Sequence, residues 1–109
     1  MNASTLTLSI HVALALFSAA SVSAADHSVV QRNKAFAVRR LVVNVGDTIK
    51  FVNLDDVPHN AFSLANGNVF DTGMLTKGNS KDITFTKSGI VEVECAVHPL
   101  MTMTVEVRP

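Results

Sequence analysis

One stretch of the chain gathers side chains that bind soft metals. Cys95-Ala96-Val97-His98-Pro99-Leu100-Met101 sets a thiolate, an imidazole and a thioether at positions i, i+3 and i+6, across a turn that can aim all three inward. A second imidazole comes from far upstream, in Asp56-Val57-Pro58-His59-Asn60, where Pro58 stiffens the approach and removes a backbone donor. Two His, one Cys and a weakly held Met are the trigonal set of a blue-copper centre, which makes His59, Cys95, His98 and Met101 the candidate metal ligands and one copper ion the expected cofactor. The sulfur ligands favour Cu(I) and the imidazoles suit both oxidation states. A site of this kind held by packed strands can pass an electron with little rearrangement.

Other readings of these residues are weaker. Cys95 is the single cysteine, so an intramolecular disulfide is impossible, and a free thiol in an oxidising compartment is a liability unless something occupies it. A catalytic Cys-His pair would need an orienting third residue, and none is evident, so no enzymatic activity is expected. Met103 competes with Met101 for the axial position. Met101 is favoured because His98-Pro99 forces an immediate turn, whereas Met103 belongs to the alternating row Met103-Val105-Val107. Met103 and Met74 read as core, His27 as solvated, Asp55-Asp56 and Asn66-Gly67-Asn68 as turns, and Glu92 and Glu94 as a solvated strand face.

The elements that position these residues read as strands, since alternation broken by turn residues recurs and no sustained helical spacing does. Leu41, Val43 and Val45 share a face until Gly46-Asp47 turns the chain, and Ile49 and Phe51 resume the alternation towards Asn53. Phe62 to Leu64 and Val69 to Leu75 are short apolar stretches between the turn clusters Asn66-Gly67-Asn68 and Lys77-Gly78-Asn79-Ser80. Ile83 and Phe85 lead to the Lys87-Ser88-Gly89 turn. Val91, Val93 and Cys95 then point one way and Glu92 and Glu94 the other, putting Cys95 at the inward-facing end of a strand. Met101, Met103, Val105 and Val107 line one face of a last strand. Short strands at this spacing suit an antiparallel sandwich or barrel of roughly six to eight strands.

Of the 109 residues, the first 25 carry no Asp, Glu, Lys or Arg, so all nine basic and nine acidic residues lie beyond Ala25. Leu6 to Phe17 is a mostly apolar run too short to span a bilayer, followed by small residues ending in Val22-Ser23-Ala24-Ala25. Residues 1–25 therefore read as a signal peptide, cleaved after Ala24 or Ala25, and 26–109 as one exported domain small enough to need a staple. A bound metal would supply it. The domain has no net charge and no basic cluster, which argues against a nucleic-acid partner, and once the leader is removed nothing ties it to a membrane. Four Met and four His form no Met-rich or His-rich tract of the kind expected of a copper chaperone or storage protein. A copper enzyme such as a nitrite reductase would need further His-rich sites, and only His27 is left over.

The chain resembles the cupredoxins, and within them the small plastocyanin-like and especially amicyanin-like proteins. The likeness rests on Asn33 to Phe36, Val45-Gly46-Asp47-Thr48-Ile49-Lys50-Phe51-Val52-Asn53, Pro58-His59-Asn60, Asp71-Thr72-Gly73 and the loop Cys95 to Met101. The two residues between His98 and Met101 are the amicyanin-like form of that loop. The resemblance implies a Greek-key β-sandwich, copper ligation by His59, Cys95, His98 and Met101, and an Asn60 that ties the two ligand loops together. It further implies a monomeric periplasmic carrier of single electrons, taking them from a dehydrogenase or membrane complex and passing them to a c-type cytochrome or oxidase. The chain departs from some members in having no Tyr or Trp.

Overall fold

The computed structural model describes residues 2–14 and 23–109. The apolar run from Leu6 to Phe17 and the residues leading to Ala24 fall partly outside them. Residues 2–14 are exposed and lack regular secondary structure, and among the described residues no helix is long and apolar enough to cross a membrane.

The described residues form no helix and nine strands: β1 (Asp26–Arg32), β2 (Ala35–Phe36), β3 (Arg40–Asn44), β4 (Thr48–Asn53), β5 (Phe62–Ser63), β6 (Phe70–Asp71), β7 (Ser80–Thr84), β8 (Gly89–Cys95) and β9 (His98–Arg108). They make two sheets, ordered β2-β1-β4-β7 and β3-β9-β8-β5-β6. The sandwich expected from the alternation is therefore present, but it is mixed rather than antiparallel, because β1 pairs with β4 and β3 with β9 in parallel. The turn at Val45-Gly46 explains this. It carries the chain from one sheet to the other instead of folding β4 back on β3.

Inward side chains of both sheets build one core around Val29, Ile49, Phe51, Phe85, Val91, Val93, Met103 and Val105, all nearly inaccessible to water. An aromatic row crosses it: Phe36 meets Phe51 edge-on at 6.2 Å, Phe51 stacks on Phe70 at 5.8 Å, and Phe70 meets Phe85 at 5.7 Å. Each pair adds about 0.5–1.5 kcal/mol beyond the area it buries. Two expected core residues are outside. Val45 is 43% exposed because β3 ends one residue earlier and Val45 enters the turn, and Met74 is 52% exposed in the irregular segment after β6.

The β1–β2 turn places Asn33 and Lys34 both at φ 55°, the pairing that suits a two-residue hairpin. Lysine is an uncommon choice there, and its backbone N–H is held by the Asp55 carboxylate at 2.9 Å. That contact leads directly to the metal-binding candidates.

Candidate metal centre

Cys95 and His98 are brought together by the hairpin of β8 and β9. They pair across a two-residue connection, Ala96-Val97, with a register shift between Glu94 and Cys95. The turn therefore lies before His98 rather than at His98-Pro99 as expected, and Pro99 sits inside β9, where the shifted register spares the ladder an N–H it cannot supply.

His59 reaches the same point from the loop after β4. Its backbone exchanges two hydrogen bonds with Leu75, His59 N–H to Leu75 O at 3.1 Å and Leu75 N–H to His59 O at 2.7 Å. The buried Asn53 shapes the approach: its side-chain amide donates to Val57 O at 2.9 Å and Leu75 O at 2.7 Å, while its Oδ1 accepts from Asp55 N–H at 2.8 Å. Asn60 then joins the two ligand-bearing loops. Its Oδ1 accepts the Ala96 N–H at 2.8 Å and its Nδ2 donates to Asp71 at 3.2 Å, as the resemblance implied.

The result is a buried cluster in which the donor atoms of His59, Cys95 and His98 all lie within 4.8 Å of one another. Cys95 Sγ is 3.8 Å from His59 Nδ1 and 3.7 Å from His98 Nδ1, and the two nitrogens are 3.2 Å apart. Metal bonds of about 2.0 Å to nitrogen and about 2.3 Å to sulfur, in a trigonal plane, would separate N from S by about 3.7 Å and N from N by about 3.5 Å. The spacing fits one soft ion. Met101 and Met103 are both buried core residues on β9, Met101 beside the register shift and Met103 opposite Val93.

Asp55, read from the sequence as a turn residue, has a larger part. Its Oδ2 lies 2.8 Å from His59 Nε2, and that contact, followed by the Lys34 N–H, is the main cause that lowers its pKa to about 2. An ionised carboxylate only accepts hydrogen bonds, so Asp55 requires the proton on Nε2 and leaves the Nδ1 lone pair facing Cys95 and His98. An acidic residue four positions before His59 was the available signal.

His27 also differs from its expected solvated state. Its Nε2 is 2.9 Å from Asp47, whose carboxyl is held at about 2, chiefly by the Asn44 N–H and then by the Ala25 N–H and His27.

Residues 23–108 match the family model of copper binding proteins, plastocyanin/azurin family. The chain belongs to that family. Among curated relatives, the methylamine utilization protein MauL of Methylorubrum extorquens is 31% identical over 102 residues, 92% of this chain and 90% of that protein. Amicyanin of Paracoccus denitrificans is 36% identical over 64 residues, 56% of this chain but only 49% of the relative's length. A solved structure of a reduced amicyanin variant superposes with a TM-score of 0.71 at 28% identity, covering 82% of this chain and 88% of that one. The β-sandwich is thus the cupredoxin fold, and copper is the cofactor that the cluster of His59, Cys95 and His98 fits.

Proposed function

We propose that this cupredoxin is an exported, diffusible carrier of single electrons, its N-terminal leader removed after Ala24 or Ala25 to leave the working domain in the periplasm. The observation that carries the reading is the buried convergence of Cys95 Sγ with two imidazole Nδ1 atoms at 3.7 and 3.8 Å on a strand hairpin. His59, Cys95 and His98 would hold the copper, with the Met101 thioether as a weaker fourth ligand. Bound there, copper supplies a one-electron couple between Cu(I) and Cu(II).

The chain's own residues keep that couple mobile. Asp55 orients His59, Asn60 fixes the distance between the His59 and Cys95 loops, and the β8–β9 ladder prevents Cys95 and His98 from parting, so the donors need not move when the charge changes. His98 is half-buried, and its sequence neighbours Val97, Pro99 and Leu100, with Pro58 beside His59, are exposed, Leu100 to 98%. This uncharged rim is the docking face for redox partners, a dehydrogenase or membrane complex on the donor side and a c-type cytochrome or oxidase on the acceptor side. The likeness to amicyanin and MauL supports that partnering.

A carrier rather than an enzyme or chaperone is favoured by the likeness to amicyanin and MauL. The copper-loaded protein is expected to be intensely coloured by thiolate-to-copper charge transfer and to exchange electrons rapidly with itself. Cys95→Ser should abolish the colour. A wild type loaded with Cu(II) and kept oxidised that is colourless, or one that releases Cu(I) readily to a chelator, would overturn the reading in favour of a chaperone.

A further inference from the structure

The small-residue rule for leader removal accepts a cut on either side of Ala25, since both Ala24 and Ala25 can precede the scissile bond. The folded domain distinguishes them. Ala25 N–H donates to Asp47 Oδ1 at 2.8 Å, and Ala25 O accepts from Thr48 N–H at 3.0 Å, the first rung between β1 and β4. Asp47 is itself only 2% exposed, and its other oxygen is already taken by the Asn44 N–H and His27 Nε2, each at 2.9 Å. A chain that began at Asp26 would lose both Ala25 contacts and leave Oδ1 of a buried carboxylate without its donor, which is costly. Among the described residues before Ala25, the hydrogen bonding is confined to a local contact of His11 with Ser9.

We propose that the mature chain starts at Ala25 and that its new α-ammonium is a structural part, docked on Asp47 as an ion pair that seals the β1–β4 end of the sandwich. This rests on the exported reading given above. An export peptidase adds water across the Ala24–Ala25 amide: the hydroxyl goes to the Ala24 carbonyl, which leaves with the leader as a carboxylate, and Ala25 nitrogen is released as an amine that takes up a proton. The peptidase acts on an unfolded chain, so the fold does not steer the cut. It is instead built to receive the nitrogen that the cut exposes, turning a hydrogen bond from an amide to the Asp47 carboxylate into an ion pair. Asp26 and His27, which line one surface cavity with Lys50 and Asp82, are further titratable groups near the new terminus.

The test is the intact mass of protein secreted from the full chain into the periplasm of a bacterial host, followed by NMR titration of the Ala25 α-amine. A single species beginning at Ala25 is expected, with an α-amine pKa raised above the usual range of about 7.7–8.0. A second preparation, N-acetylated at Ala25, keeps the N–H but removes the charge, and should melt at a lower temperature. A mature chain starting at Asp26 would overturn this proposal and leave export standing, whereas an uncleaved chain would overturn both. A start at Ala25 with an unshifted α-amine, or acetylation without effect on melting, would refute the docking.

Discussion

Replacing Asn60 by Ala tests whether one buried amide holds the two halves of the copper site in register. The substitution removes two hydrogen bonds, the 2.8 Å bond from Ala96 N–H to Oδ1 and the 3.2 Å bond from Nδ2 to Asp71, from a residue only 3% exposed. Each such bond is worth about 0.5–1.5 kcal/mol net. Ala96 is exposed, so its freed N–H recovers a water partner and the loss stays near the middle of that range, about 2 kcal/mol in all. In a domain of this size each kcal/mol moves Tm by roughly 4–8 °C, so a fall of roughly 8–16 °C is expected. The assay is urea and thermal unfolding of the copper-free protein, because a metal that binds only the folded state would mask the difference. Circular dichroism is the suitable probe, as the chain has no Trp or Tyr. A loss below about 0.5 kcal/mol, less than one ordinary hydrogen bond, would refute the view that Asn60 couples the loops.

Three further outcomes are expected. Asp55→Ala should weaken copper binding by about 10–100-fold in chelator competition, the usual cost of removing the partner of a ligating imidazole, whereas Asp56→Ala, which breaks only an exposed pair with Lys77, should not. Met101→Gln should keep a coloured site but lower its reduction potential and change its electron spin resonance spectrum, while Met103→Leu should cost under about 1.5 kcal/mol and leave the spectrum alone; the reverse pattern would make Met103 axial. The folded carboxyls of Asp47 and Asp55, at about 2, lie below the unfolded value of about 3.9, so their stabilisation is complete above that value and is lost as pH falls through about 2. Acid unfolding of Asp47→Asn should accordingly be less steep in that window than that of the wild type, and identical slopes would exclude a role for Asp47.

The parts of the molecule legible in its sequence are those where chemistry or alternation is local. Cys95, His98 and the inward row Val91-Val93-Cys95 announce themselves within a dozen residues, and β4 shows its period in the apolar pair Ile49 and Phe51. Elements whose inward residue is polar do not. β1 turns Gln31 into the core, where it donates to Asn60 O at 3.0 Å, and so breaks the apolar rhythm that would have revealed a strand. β2, β5 and β6 are two residues long, below the reach of any periodicity. Asp55, Asp47 and Asn68 look like turn formers because they are, but each also accepts hydrogen bonds from residues distant in sequence, as when Asn68 takes the Thr86 N–H at 2.9 Å. Such partnerships exist only once the chain has folded.

The parallel pairing of β3 with β9 ties Arg40 to Thr104 and Asn44 to Arg108, the most distant rungs in the chain. β9, an interior strand of that sheet, is thus synthesised long after its edge partner β3. Until it arrives, β3 has no neighbour, and contacts of such long sequence separation form slowly because the intervening loop must first be closed. Truncation before Thr104 should accordingly leave β3 unprotected in hydrogen exchange, and a protected β3 in that shortened chain would show that closure does not depend on the final strand.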